Sequence, residues 1–155
     1  MAVSWGEAFQ EPSRITTVKC GCAEHMHNPE LWRDILMVEE IKANQLDLII
    51  TGSKLVFVDC MAVWCHPCKT LGPMLEELDE KYRDRGFKVV KIDVDRNRDF
   101  SMENEISGVP SVFVYSEGKR VVFDDGRGKR MDRLVGVMPE EVYTEIIENL
   151  LSEPA

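Results

Sequence analysis

The sequence predicts an α/β protein, in which a central mixed β-sheet has helices on both of its faces. The first observation is that apolar, β-branched runs alternate with amphipathic segments along residues 37–155. The second is a hairpin signal, Glu117-Gly118, between two runs of strand-forming residues. Alternating strands and helices followed by a hairpin produce both parallel and antiparallel pairs. A length of 155 residues suits one such domain with an extension.

The first part of this domain is predicted to lead into a central strand. Residues 37–41 form a candidate first strand, and residues 45–50 form a helix that ends at Gly52. The run from Leu55 to Val58 is continuously apolar, as in a strand that is covered on both faces.

A long amphipathic helix follows the central strand. Its apolar face is formed by Leu71, Met74, Leu75, Leu78 and Tyr82, and its polar face by Glu76, Glu77, Asp79, Glu80 and Lys81. Gly86 is the predicted terminator, and Pro73 is expected to kink the helix.

The second half of the domain is predicted to alternate in the same way. A strand covers residues 89–94, a short helix residues 99–105, and a hairpin residues 111–115 and 119–123. The last helix covers residues 139–151, with one apolar face formed by Val142, Ile146 and Leu150.

Composition excludes several classes of function. The net charge of −9 argues against a nucleic-acid binder, which needs clustered Lys and Arg. No stretch approaches the roughly 20 apolar residues that span a bilayer. Residues 1–10 lack the basic and apolar parts of a signal peptide. We therefore expect a cytoplasmic protein that binds neither nucleic acid nor membrane.

Cysteine usage indicates redox chemistry or metal binding. The five cysteines include two closely spaced pairs, Cys20/Cys22 and Cys65/Cys68, and an unpaired Cys60. An odd number of this kind is not typical of a secreted disulfide scaffold. Cys60 follows Asp59 on the central strand, so we expect it to be a small buried hydrophobe on the opposite face of the sheet.

Cys65 and Cys68 lie three residues apart, between a buried strand and the start of the long helix. On a first helical turn their sulfurs can meet and form a disulfide. Unpaired backbone N–H groups and the helix dipole stabilise a thiolate at this position. Pro67 suits the first turn, and Trp64 is expected to shield the sulfurs. Cys-x-x-Cys also occurs in zinc sites, but the strand-then-helix context favours redox chemistry.

The segment Val58-Asp59-Cys60-Met61-Ala62-Val63-Trp64-Cys65-His66-Pro67-Cys68-Lys69 resembles the active site of the thioredoxin family. Further matches are the helix proline Pro73, the lysine Lys91, the segment Val109-Pro110-Ser111 and the glycine Gly136. The resemblance extends from residue 37 to about residue 152. It implies a thioredoxin fold and a monomeric protein-disulfide reductase that needs no metal or other cofactor. It also implies that a flavin-containing, thioredoxin-reductase-like enzyme supplies the electrons.

The resemblance also implies individual roles. Cys65 would be the exposed nucleophile, Cys68 would resolve the mixed disulfide, and Asp59 would be a buried carboxylate behind Cys68 that accepts a proton through water. Lys91 would be the partner of Asp59, and a cis Pro110 would expose the backbone of Val109 to an extended substrate. The substrate-binding residues would be Trp64, His66, Pro67, Val109, Pro110 and Gly136.

Two features depart from the family. His66 stands where typical thioredoxins have glycine, and as a donor beside Cys65 it would stabilise the thiolate. We expect the Cys65–Cys68 pair to have a reduction potential somewhat more oxidising than the roughly −270 mV of thioredoxin, although Pro67 favours a value near the reducing end of the range for such proteins. The interval from Gly118 to Gly136 is also longer than the usual thioredoxin interval, by about the length of one hairpin. Its basic turn, residues 124–130, is a partner contact or, as we favour, a solvated loop.

Residues 1–36 are predicted to be an N-terminal extension, with a short helix over residues 28–36. Cys20, Cys22, His25 and His27 could bind one metal ion, although their spacing is tighter than in ordinary zinc modules. Alternatively, Cys20 and Cys22 form a second dithiol, or the segment has neither role. The alternatives to a reductase are therefore a redox-switched adaptor that binds metal or a partner through this segment, and a dithiol oxidase or isomerase.

Overall fold

The structure is a computed structural model, and it describes residues 38–152. The predicted extension lies outside the described residues. The strands are β1 (Glu39–Glu40), β2 (Leu55–Met61), β3 (Phe87–Asp93), β4 (Ser111–Ser116), β5 (Lys119–Arg120), β6 (Phe123–Asp124), β7 (Arg130–Met131) and β8 (Leu134–Val135). The helices are α1 (Leu46–Gly52), α2 (His66–Tyr82), α3 (Arg98–Glu103) and α4 (Glu140–Ser152). Short 3-10 turns at Ala43–Gln45 and Arg83–Arg85 precede α1 and follow α2.

The main sheet has β2 near its centre. The strand order is β1-β3-β2-β4-β5, and β8 also pairs with β4. β1 and β2 run parallel to β3, whereas β4 is antiparallel to β2, β5 and β8. On β2, Asp59 lies opposite Lys91 of β3 and Val112 of β4. The mixed sheet is therefore confirmed.

Helices cover both faces of this sheet. Because side chains alternate along a strand, Leu55 and Phe57 of β2 enter one core, and Val56, Val58 and Cys60 enter the other. The first core also contains buried side chains of α2 and α4, namely Leu71, Leu75, Leu78, Tyr82, Tyr143, Ile147 and Leu151. The second contains Leu46 and Ile50 of α1 and half-buried Phe100 of α3. The α/β class with helices on both faces is confirmed.

The hairpin that follows β4 differs from its prediction. The strand expected over residues 119–123 is shorter than predicted: β5 ends at Arg120, the N–H of Val121 still donates to the carbonyl of Val114 on β4, and the chain then continues into β6. The Arg120 guanidinium lies over the ring of Phe113, 4.2 Å from its centroid, and holds β5 against β4. β6 pairs with β7 in a separate two-stranded sheet. The extra residues before Gly136 thus form a second hairpin, and its basic turn is exposed.

The buried face of α4 lies one residue further along the chain than predicted. The predicted face of Val142, Ile146 and Leu150 is only half-buried. The buried residues are Tyr143, Ile147 and Leu151. Tyr143 explains the difference, since its ring is fully buried and lies 6.4 Å from that of Phe57. The sequence pattern includes apolar residues on both stripes, and the largest side chain takes the core position.

The helical pattern places Asp79 on the exposed face of α2, but this residue is only 4% exposed. Its Oδ1 accepts a hydrogen bond of 2.7 Å from the backbone N–H of Val89 on β3. Its Oδ2 pairs with Arg83 one turn later on the chain. The two residues of β1 pair with β3 only at Val90 and Lys91. The Asp79 carboxylate therefore supplies the acceptor for the Val89 N–H, which lies beyond the end of β1.

We predict that Asp79→Ala lowers the free energy of unfolding by about 1–3 kcal/mol, because it leaves the buried N–H of Val89 without its acceptor. Urea denaturation measures the change. The matched control is Glu80→Ala, an exposed acidic residue of the same helix, which should change stability by about 0.5 kcal/mol or less. Equal stability of the two variants would contradict this role of Asp79.

Candidate active site

The two cysteines of the predicted motif lie where β2 is followed by α2. Cys65 is the N-cap of α2, and its Sγ accepts a hydrogen bond of 3.2 Å from the backbone N–H of Cys68. Their Cα atoms are 5.4 Å apart and their sulfurs form a disulfide. Pro67 occupies the first turn, where no intrahelical N–H bond is lost. The residues after the central strand therefore bring a disulfide-bonded pair to a helix N-terminus.

Neither sulfur protrudes in this disulfide form. Cys65 is 3% exposed and Cys68 is 6% exposed. The expectation that Cys65 is the exposed member of the pair is therefore wrong for the oxidised protein. The reason is the packing around the pair, which is formed by Met61, Ala62, Val94 and Val109.

Trp64 lies beside the disulfide as an exposed side chain. It is 70% exposed, and its Nε1 donates a hydrogen bond of 2.7 Å to Oδ2 of Asp95. His66 and Pro67 on the first turn of α2 are also exposed. Sequence reasoning missed Asp95, although this acidic residue, two positions after β3, lies at the same end of the sheet as the end of β2. These side chains form an exposed surface next to the cysteines.

The loop before β4 has the predicted cis peptide bond between Val109 and Pro110. Pro110 is buried, and its carbonyl accepts a hydrogen bond of 2.9 Å from the N–H of Gly136. Gly136 has φ of +83°, a conformation that glycine adopts readily. Within residues 38–152, the backbone N–H and C=O of Val109 make no hydrogen bond. The hydrogen bond from Gly136 therefore fixes the backbone at Pro110, and the polar backbone groups of Val109 are available for a hydrogen-bond partner from another molecule.

Asp59 is a buried carboxyl group on the central strand. It is 1% exposed, and neither of its oxygens has a hydrogen-bond partner among the described residues. Burial raises the pKa of Asp59 to about 7, and the charge of Lys91 opposes this increase. A cleft of about 280 Å³ is lined by Asp59 together with Cys68, Pro73 and Lys91. A carboxyl group with this pKa can accept or donate a proton near neutral pH.

Lys91 lies on β3 in register with Asp59, but it does not form an ion pair with it. Its Nζ is 2.6 Å from Oε1 of Glu76 on α2. The expected pairing of Lys91 with Asp59 is therefore wrong as a direct contact, because Glu76 supplies a nearer carboxylate. Lys91 acts on Asp59 through its charge alone. Sequence reasoning missed the role of Glu76, since the helical pattern places it with the solvent-facing residues.

Cys60 lies on the other face of the sheet, as predicted. It is fully buried, and burial together with the charge of Asp59 raises the pKa of its thiol to about 12. It therefore holds its proton and is not a nucleophile near neutral pH.

Two further predictions concern metal ions and membranes. Among residues 38–152 no group of three or more His, Cys, Asp or Glu side chains could hold a metal ion. Cys20, Cys22, His25 and His27 lie outside the described residues. In the same range no helix is both long and apolar enough to cross a membrane.

Known proteins resemble this chain over most of its length. The sequence model of the Thioredoxin family matches residues 37–140. Thioredoxin-2 of Saccharomyces cerevisiae is 36% identical over 116 residues, which cover 74% of this chain and 100% of the yeast protein. Thioredoxin of Mycoplasmoides gallisepticum is 35% identical over 104 residues, or 67% of this chain and 92% of the relative.

Solved structures share the fold. Chloroplastic thioredoxin z has a TM-score of 0.62 at 33% identity, and the match covers 76% of this chain and 96% of that one. A point mutant of thioredoxin from Halobacterium salinarum has a TM-score of 0.63 at 25% identity, covering 77% of this chain and 96% of that one. Together with the disulfide at the start of α2, these matches assign the activity as well as the fold. The chain belongs to the thioredoxin family, and it is a thiol–disulfide oxidoreductase that acts as a protein-disulfide reductase.

Proposed function

We propose that Cys65 and Cys68 reduce disulfide bonds of other proteins through a mixed-disulfide intermediate. The observation that carries this proposal is the position of the Cys65–Cys68 disulfide at the N-terminus of α2, beside the cleft that Asp59 lines. The dithiol form supplies two electrons, so the reaction needs no metal or other cofactor.

In the first step, the Cys65 thiolate attacks one sulfur of the substrate disulfide. A bond forms between Cys65 and that sulfur, and the other substrate sulfur leaves as a thiolate. The hydrogen bond from the Cys68 N–H and the positive end of α2 both favour the thiolate of Cys65 over its thiol. His66, which is exposed on the same turn, adds a further donor and shifts the couple toward the oxidising side of ordinary thioredoxins.

In the second step, Cys68 resolves the mixed disulfide. Its thiol gives a proton, through water, to the Asp59 carboxylate, and its sulfur then attacks Cys65. The Cys65–Cys68 bond forms, the bond to the substrate breaks, and the substrate sulfur leaves as a thiolate. The pKa of about 7 suits Asp59 to this exchange, because a base of this strength is partly ionised near neutral pH.

The substrate lies as an extended segment across the loop before β4. The N–H and C=O of Val109, which make no hydrogen bond to the residues that the structure describes, can pair with its backbone in the manner of an added strand. Gly136 and Pro110 hold that backbone in place, and the exposed Trp64, His66 and Pro67 contact the residues around the disulfide.

The electrons come from a thioredoxin-reductase-like flavoenzyme, and the protein works as a monomer in the cytoplasm. The monomer is supported by the site, since one chain carries the dithiol, the carboxyl group and the cis-proline loop. The cytoplasm is supported by the unpaired, buried Cys60 and by the need for a reducing compartment to regenerate the dithiol.

We predict that Cys65→Ser abolishes reduction of insulin disulfides, because it removes the attacking thiolate. Cys68→Ser should instead accumulate a mixed disulfide between Cys65 and the substrate, since the resolving thiol is absent. Turbidity and non-reducing electrophoresis with mass spectrometry measure the two outcomes. Cys60→Ala is the control and should stay active. Full activity of Cys65→Ser would refute the assignment of the nucleophile.

We predict that Asp59→Asn stabilises the protein above about pH 7 but not near pH 4. Below about pH 4 the carboxyl group is protonated in the folded and the unfolded chain. As pH rises from about 4 to about 7, the unfolded chain releases this proton and the folded chain retains it, so the wild type loses stability. The variant should therefore gain about 2–4 kcal/mol relative to wild type between these pH values.

Urea denaturation at several pH values measures this gain. Asp47→Asn, which changes an exposed carboxylate on α1, is the control and should follow the wild-type pH dependence. An Asp59→Asn curve that runs parallel to the wild type would show that Asp59 ionises at its ordinary pKa.

A further inference from the structure

Lys91 lies between two carboxyl groups and binds only one of them. It is in register with Asp59 on the neighbouring strand, but its Nζ is 2.6 Å from Oε1 of Glu76. Asp59 accepts no hydrogen bond within the described residues. The cation that could neutralise the buried carboxylate is therefore held by a different carboxylate.

Lys91 lines the same cleft as Asp59 and Cys68, whereas its partner Glu76 lies outside the cleft lining. The side chain of Lys91 is 19% exposed and that of Glu76 is 31% exposed, so the pair contacts solvent while Asp59 is buried. Gly72 lies one turn before Glu76 on α2, and a Cβ on Gly72 would be 3.4 Å from the Lys91 Nζ. That separation is an ordinary van der Waals contact, so the ammonium lies against α2 at Gly72.

The location of this ammonium determines how strongly Asp59 holds a proton. An opposite charge within about 4–6 Å lowers the pKa of a carboxyl group by 1–3. When a second carboxylate binds the cation and holds it farther from the first carboxyl group, much of that effect is lost. Glu76 and Asp59 therefore compete for the charge of Lys91.

We propose that Glu76 is a positioning residue for the resolving step, because it holds the Lys91 ammonium at the rim of the cleft and away from Asp59. Asp59 then remains a base strong enough to take the proton of Cys68. This inference rests on the role of Asp59 in the proposed function. Without Glu76, Lys91 would turn toward Asp59 and stabilise its carboxylate.

Other groups near Asp59 do not replace this effect. From α2, Lys69 lines the same cleft and is exposed at its surface. From α4, Tyr143 is a weak acid whose pKa is raised, mainly by burial. From β2, Cys60 holds its proton. Lys91 is the cation whose charge lowers the pKa of Asp59.

The test is the protonation of Asp59 in Glu76→Gln, measured by carbon NMR of the carboxyl group during a pH titration. The oxidised protein is used, since its disulfide cysteines do not titrate, and Asp59→Asn assigns the signal. The pKa should fall from about 7 to about 6 or below. Glu77→Gln removes the same charge from the next, exposed residue and should leave the pKa within about 0.3 of wild type.

A second pair of variants tests whether Glu76 acts through Lys91. Lys91→Met should raise the pKa of Asp59, because it removes the cation. In the Lys91→Met background, Glu76→Gln should then change the pKa of Asp59 by less than a third of the change that Glu76→Gln causes in the wild type. The conservative Glu76→Asp keeps a carboxylate at this position and should give a pKa of Asp59 between those of Glu76→Gln and the wild type.

An equal pKa in Glu76→Gln and Glu77→Gln, or an undiminished effect in the Lys91→Met background, would overturn the proposal. The readout requires no turnover, so it is independent of the proposed function. If Cys65→Ser proves active while the Asp59 pKa falls as expected, the catalytic assignment fails and the electrostatic role of Glu76 stands.

Discussion

A carboxyl group that is 1% exposed and accepts no hydrogen bond among the described residues is costly to ionise, and Asp59 is such a group. Asp59 is buried because β2 pairs with a strand along each edge and its alternate residues enter a core on each face of the sheet. The same strand delivers the cysteines to the start of α2. One strand therefore determines both the position of the disulfide and the proton affinity of the group beside it.

The surrounding elements complete the site by supplying charge and shape. α2 contributes its positive end to Cys65 and, two turns beyond Cys68, the carboxylate of Glu76 that binds Lys91. The cis-proline loop and Gly136 leave the Val109 backbone open beside the disulfide. Near the other end of the same helix, Asp79 accepts a hydrogen bond from the Val89 N–H of β3, beyond the point where β1 stops pairing with this strand. Stability and chemistry thus depend on the same helix and sheet.

Much of this arrangement follows from local sequence features. The strand-then-helix placement of Cys65 and Cys68 predicted the disulfide site, and alternation along β2 predicted the opposite placement of Cys60. The missed contacts join residues far apart in sequence: Glu76 and Lys91 are separated by 15 positions, and Trp64 and Asp95 by 31. The first pair depends on how α2 packs against β3, and the second on how the loops before α2 and after β3 meet. A solvent-facing glutamate and a bound one look the same in a helical pattern, and so do the two apolar stripes of α4.

Single-turnover kinetics with a disulfide-containing peptide test the central claim, that buried Asp59 accepts the proton of Cys68 in the resolving step. Reduced wild type and Asp59→Asn are mixed with the peptide near pH 7, quenched with acid, and analysed for the mixed disulfide. The mixed disulfide should form at rates within about twofold of each other, and its collapse should be about 100-fold slower in the variant. Collapse at the wild-type rate would contradict the account, because Cys68 would then lose its proton without Asp59.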